Sequence, residues 1–272
     1  MTLALAPFDG ACDCHIHVFE EGRPLVATAT FKPPHAPASA YREVQRSLGL
    51  QRVVVVQPTG YGIDNNCTLD AMAQLGAGAR GIAVVPPDVP QQELERLNEA
   101  GMRGVRYMML PGGVLPWSSL EGTAARIAPL DWNINLQLDG RDLPLHEALL
   151  HSLPCRVVID HIAKFLGPVT LDGEAFNCLR RLLDTGNFWI KLSAPYESSR
   201  SGPPDYDDVA PLVETLAAAY PERCLWASNW PHPNIVPTPS NEALLAWALR
   251  HFSSEATARR ILVHNPAALS GF

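Results

Sequence analysis

Two histidines stand one residue apart in Asp13-Cys14-His15-Ile16-His17, directly after Gly10-Ala11-Cys12. On an extended strand residues i and i+2 face the same side, so His15 and His17 are expected to project their imidazoles into one cavity. Two neutral imidazoles held together can bind a metal, pass a proton or grip an anionic oxygen. An isolated H-x-H is more often a packing feature than a site, so its meaning depends on what the rest of the chain brings to it. Polar candidates recur at the ends of later apolar runs: Gln57 and Thr59, Arg106, Gln137, His161, Tyr196 to Arg200 with Ser199 among them, and Asn229 with His232.

The elements that must position these residues alternate along the chain. After the first strand, apolar or β-branched runs fall at 52–57, 81–85, 104–109, 132–138, 155–160, 188–193 and 224–228, and such runs suit strands buried on both faces of a parallel sheet. Helices are predicted at 38–48, after an Asn65 cap, at 91–100 with Gly101 closing it, and at 174–184, 206–219, 241–252 and 255–263. Eight strands with helix-bearing connections imply an α/β fold, a single (β/α)8 TIM barrel forming one domain over 1–272. An open doubly wound sheet is the alternative, but it would want a glycine-rich phosphate loop where the H-x-H stands. In a barrel the strand C-termini meet at one mouth, which would bring the polar candidates together. The proline-rich stretch 24–37 is too long for a simple connector and is expected to cover that mouth; 198–208 is read as an active-site loop.

A formal charge of −7 argues against nucleic acid, while leaving room for an anionic small molecule held by local arginines. Residues 1–10 lack the charged and apolar regions of a signal peptide, and no apolar run is long enough for a membrane span. The six cysteines include no CxxC pair and mostly lie in apolar runs, the pattern of reduced thiols in a cytoplasmic protein.

Several motifs together carry a resemblance: Asp-Cys-His-Ile-His at 13–17, Ile-Asp-His at 159–161, Lys-Leu-Ser at 191–193, Leu-Trp-Ala-Ser-Asn-Trp-Pro-His at 225–232 and His-Asn-Pro at 264–266. They resemble the amidohydrolase superfamily over essentially the whole chain, in the branch of lactonases and lactone isomerases around 2-pyrone-4,6-dicarboxylate lactonase. Arg-Tyr-Met-Met-Leu-Pro-Gly-Gly at 106–113 and Ala-Pro-Tyr-Glu-Ser-Ser-Arg at 194–200 are most similar to the isomerases of sugar-diacid lactones in that branch. The resemblance implies a small carboxylated lactone as substrate, with His15, His17, His161 and Asn229 at the reaction centre. Gln57, Thr59, Arg106, Gln137, Tyr196, Ser199, Arg200 and His232 are then expected to bind substrate.

The superfamily usually ends strand eight with an aspartate that ligates metal and takes a proton from water; this chain has Asn229. An amide neither titrates nor supplies a negative ligand. Gln137 stands where many relatives have histidine, and strand four offers no bridging lysine or glutamate, so no metal cofactor is expected. A single divalent metal such as zinc on His15, His17 and His161 stays chemically open. Of the arginines that suit a dicarboxylate, Arg106 matches, while Gly112 and Glu197 fall where two more would stand. Protonated His15 and His17, or a metal beside them, would stabilise a lactone oxyanion, and His161 would take the proton of the attacking group. Three readings follow: isomerisation of a sugar-diacid lactone, hydrolysis of a carboxylated lactone, and a non-catalytic barrel that binds sugar acids. The oligomeric state is not legible.

Overall fold

In the computed structural model, which describes residues 8–272, each of eight parallel strands pairs with its sequence neighbour in the order β1 to β8. The strands are β1 (Cys12–Ile16), β2 (Arg52–Val56), β3 (Ala79–Ala83), β4 (Met102–Met108), β5 (Asn133–Gln137), β6 (Arg156–Ile159), β7 (Phe188–Ser193) and β8 (Cys224–Ala227). Helices α1 (Ala38–Ser47), α2 (Asn66–Leu75), α3 (Gln91–Glu99), α4 (Leu120–Ile127), α5 (Leu143–His151), α6 (Glu174–Asp184) and α7 (Ala210–Ala219) occupy the connections, and α8 (Asn241–His251), α9 (Glu255–Arg259) and α10 (Asn265–Ser270) follow β8. This is a (β/α)8 barrel. The reading of 1–10 as no signal peptide lies largely outside the described residues. No described helix is long and apolar enough to cross a membrane.

The seam between β8 and β1 positions the site. His17 N donates to Trp230 O at 2.8 Å, and Asn229 N donates to His15 O at 3.0 Å. Below them the Asp13 carboxylate accepts from Ser228 N and Ser228 Oγ, at 2.9 and 2.6 Å. Burial raises Asp13 from 3.8 to about 6, although its bonds to Ser228, His15 N and Tyr41 oppose the shift. The two ends of the chain's sheet are thus fastened through the residues that flank His15, His17 and Asn229.

The barrel axis is graded from apolar to polar. Cys12, Cys14, Val54, Val56, Ile82, Val158, Trp189 and Leu225 pack together, with Leu269 and Phe272 against them. Above this plug lie Asn135, Lys191, Asp160 and His15, all buried. A register shift between Asp13 and Ile16 lets one short strand turn Cys12 and Cys14, and then His15 and His17, to the same axis. Such a bulge inserts one residue and reverses the parity. All six cysteines are free and buried.

Three local expectations are corrected. Asn65 precedes α2 but does not cap it: its amide bonds Val84 N and O, and Asp64 Oδ1 accepts from Asn66 N instead. Helix α7 begins at Ala210, because Tyr206 adopts a left-handed φ of 49° that cannot continue a right-handed turn. The helix expected to stop at 263 passes through a π turn (Arg260–His264) into α10. Pro266 sits in the first turn of α10, directly after that π turn.

Candidate active site

The mouth holds a cavity of about 240 Å³ whose polar wall includes His17, Thr59, Arg106, Gln137, His161, Lys164, Glu197 and Asn229. Thr30 and Phe31, from the proline-rich stretch, form part of its cover. Gly112 lies under that cover with φ +93°, and a Cβ there would meet Thr30 Cγ2 at 2.9 Å. The loop after β4 therefore packs too closely for a side chain at this position, let alone an arginine.

His15 lies fully buried one layer below the cavity. Its Nε2 is 3.2 Å from His17 Nε2, and its ring centroid is 4.7 Å from that of His161. His17 Nδ1 is 2.7 Å from Val56 O, which can only accept, so that nitrogen carries the proton. His15 must then donate from Nε2, leaving its Nδ1 to accept from Lys191 Nζ at 3.0 Å. Lys191 also donates to Asn135 Oδ1 at 2.5 Å and lies 2.9 Å from Asp160 Oδ1. A directed chain thus runs from Lys191 through both imidazoles to β2.

This environment corrects the expectation of protonated histidines. Burial, followed by the charge of Arg106, pushes His17 down to about 3. Burial and then Lys191 hold His15 well below its ordinary value, and burial and then His15 do the same to His161. All three imidazoles are neutral at neutral pH. For Asp160 burial opposes ionisation, but Lys191, then His161 and Arg106, outweigh it and keep the carboxyl below its usual range.

His161 opens a run of four left-handed residues, His161, Ile162, Ala163 and Lys164, with φ of 54°, 54°, 58° and 43°. None is glycine, and this backbone costs L-residues about 1–2 kcal/mol each. The turn places His161 and Lys164 in the same cavity wall. His161 Nδ1 pairs with Ser193 Oγ at 3.0 Å, while its Nε2 has no hydrogen bond among the described residues. Lys164 forms an ion pair with Glu197.

Arg106 reaches the cavity but is partly committed to the framework, donating to Gln57 O at 2.9 Å and Gln137 Oε1 at 2.8 Å. Its Nε is buried without a partner. Five of the residues expected to bind substrate lie elsewhere or face away. The Gln57 side chain braces the loop after β2, donating to Gly62 O and Asp64 O and accepting from Thr68 Oγ1. Ser199 Oγ and Arg200 N both donate to Asp208, closing the 198–208 loop on itself, and neither residue lines this cavity. Tyr196 and His232 are bonded to each other behind Asn229.

Lys164, Lys191 and Asp160 are absent from the expected site residues, although Asp160 and Lys191 fall within the motifs at 159–161 and 191–193. Lys191 had a signal, since a lysine inside an apolar strand needs a buried partner. Lys164 had none, because no glycine marks its left-handed turn. Among the described residues, His15, Asp160 and His161 form the cluster that could offer three ligand atoms to a metal, a different set from His15, His17 and His161.

Polar groups from seven of the eight strand ends, gathered at the C-terminal mouth of a parallel barrel, define a barrel enzyme. Residues 12–272 match the amidohydrolase family, and the chain belongs to that family. It is 35% identical over 265 residues to a D-galactarolactone isomerase of Agrobacterium fabrum, covering 96% of this chain and 90% of the relative. It is 33% identical over 273 residues to a 2-pyrone-4,6-dicarboxylate hydrolase of Comamonas testosteroni, with the same coverage of 96% and 90%. A crystal structure of an Agrobacterium tumefaciens protein in its apo form superimposes with a TM-score of 0.92 at 34% identity, covering 97% of this chain and 96% of that one.

Proposed function

We propose that this enzyme isomerises a lactone of a sugar diacid by moving the acyl group from one substrate hydroxyl to another. One observation carries this reading. Among the described residues that line the cavity, Glu197 is the only carboxylate, and it is paired with Lys164, while Asn229 stands where a carboxylate base would be. Water is therefore poorly activated. A substrate hydroxyl held beside the carbonyl needs less help, because oriented intramolecular attack reaches effective molarities of about 10⁵ M or more.

In this reading His161 Nε2 takes the proton of the attacking hydroxyl as its oxygen bonds to the carbonyl carbon. The original C–O bond then breaks, and the leaving oxygen recovers the proton from His161. Arg106 and Lys164 are the cationic donors for the oxyanion and for the free carboxylate. Glu197, Gln137 and Thr59 suit hydroxyl groups better than a flat aromatic diacid. Isomerase activity named for the Agrobacterium fabrum relative supports the same reading.

A divalent metal does not fit the charges here. Two of the three residues of the His15–Asp160–His161 cluster already turn an atom to the Lys191 ammonium, His15 Nδ1 at 3.0 Å and Asp160 Oδ1 at 2.9 Å. Arg106 and Lys164 add positive charge beside His15, and Lys164 does so beside His161. Buried reduced cysteines fit a cytoplasmic setting, and a small lactone is the partner the cavity suits.

Hydrolysis of a carboxylated lactone is the second reading, favoured by the cationic wall and by the Comamonas testosteroni relative. NMR of a galactarolactone incubated with the enzyme separates the two. Ring migration without free diacid supports isomerisation, and release of the diacid as the main product supports hydrolysis.

A further inference from the structure

We propose that His232 and Asn241 are positioning residues that fix which end of the Asn229 amide meets the substrate. The inference rests on the isomerase reading only in giving Asn229 a substrate to meet. Asn229 Nδ2 donates to Tyr196 Oη at 3.0 Å. The Tyr196 hydroxyl has one hydrogen to give, and it reaches His232 Nδ1 at 2.8 Å. His232 therefore keeps its own proton on Nε2 and donates it to Asn241 Oδ1 at 2.9 Å. Asn241 is the first residue of α8, so a helix outside the barrel terminates a chain that begins in the cavity wall.

A neutral imidazole has one N–H and one lone pair, and a phenol one hydrogen. The chain consequently has only two self-consistent directions. In the direction found, the amide nitrogen of Asn229 faces Tyr196, and Oδ1 is left to accept from a substrate hydroxyl at the cavity. That bond would hold the sugar chain while the neighbouring hydroxyl gives its proton to His161. In the reverse direction Asn241 would donate to His232, Tyr196 would donate to Asn229 Oδ1, and the amide nitrogen would meet the substrate. A donor there cannot take the same hydroxyl hydrogen, and the reacting oxygen loses its alignment.

Direction depends on His232 staying neutral. Burial lowers it to about 4, with the Asn241 bond opposing the shift. The charged groups that bear on the chain are Glu197 and Asp13, both acting through Tyr196, whose hydroxyl burial holds far above its ordinary value. Asn241 and Tyr196 face the two ring nitrogens.

Long-range ¹H–¹⁵N spectra of the intact enzyme report the His232 tautomer without any substrate. The expected result is the Nε2–H form; an Nδ1–H form overturns the proposal. Kinetics on a galactarolactone give the second readout. Asn241→Ala removes the terminal acceptor and is expected to lower kcat about tenfold with little change in KM. Asn241→Asp can only accept, so it preserves the direction while the ring is neutral. Its charge also favours a second proton on His232, which would force Nδ1–H onto Tyr196. Turnover by this variant is expected to fall between about pH 8 and pH 6, where the unsubstituted enzyme shows a smaller change. A profile that overlays the unsubstituted one overturns the proposal. An enzyme that leaves the lactone unchanged at every pH counts against the isomerase reading, and the tautomer measurement still decides the chain.

Discussion

Polar groups borne on the strands or directly at their ends, Lys191 of β7 among them, bond to one another as a frame, whereas several that face the cavity after β6 and β8 stand on turns. His17 is tied to Val56, Arg106 to Gln57 and Gln137, and His15 to Lys191. Across the cavity, His161, Lys164 and Asn229 occupy left-handed backbone, as do Ala194, His232 and Asn234 nearby. Strained positions of this kind persist only where their surroundings hold them, and they concentrate at functional sites. The difference suggests a division of labour in which one side supplies a fixed electrostatic frame and the other supplies the groups that discriminate and transfer protons.

If that division holds, substitutions in the frame should cost stability and substitutions on the turns should cost turnover. Lys191→Met is the most severe case. It leaves Asp160 buried without its cation, and breaking such a pair costs about 3–5 kcal/mol. Urea unfolding should show the loss; a variant as stable as the unsubstituted enzyme would break the comparison.

Acid should act on both sides together. His17 falls to about 3 in the folded chain, and His15 and His161 lie well below 6.5. The unfolded chain binds protons that the native state refuses, so this stability is full above about pH 6.5 and is lost as pH falls toward the folded values. Asp13 runs the other way: raised to about 6, it favours the native state as it protonates and offsets part of the loss. Unfolding midpoints measured across this range should decline with a slope above one proton. A flat profile would contradict neutral buried imidazoles.

Lys164→Met tests the turn side. Its partner Glu197 opens on the cavity rather than on the core, so stability should fall by less than in Lys191→Met. KM for a carboxylated lactone should rise about tenfold, the worth of one charge-assisted contact. Equal KM values would remove Lys164 from substrate binding. The smallest effect is expected from Ala163→Gly, at φ 58°. Glycine relieves the left-handed strain but loses a buried methyl, for a net gain of at most about 1 kcal/mol. Turnover should drop as the turn loosens, and a variant both less stable and fully active would argue against stored strain.

The same two sides divide what the sequence discloses. Strand periodicity places His17, Arg106 and Gln137 at one mouth, and the structure puts all three in the cavity wall. Lys164 escapes because a left-handed turn built from His, Ile, Ala and Lys leaves no glycine signal. Tyr196 and His232 sit at the right strand ends, yet their hydrogen bonds point to each other, which no spacing rule reveals. Ser199 and Arg200 belong to a loop whose path is set by Asp208, a contact across eight or nine residues of irregular chain. The bulge in β1 likewise follows from packing against β2, so the parity of Cys12 and Cys14 was not legible from alternation.

Asn229 is the residue at which migration and hydrolysis separate most directly. Replacing it with aspartate restores a titratable carboxylate beside the cavity without changing side-chain size, and NMR can follow lactone migration and diacid release in the same tube. Asn229→Asp is expected to release free diacid faster than the unsubstituted enzyme, which should mainly shift the acyl group between hydroxyls. Unchanged diacid release in a folded Asn229→Asp enzyme would contradict the isomerase reading.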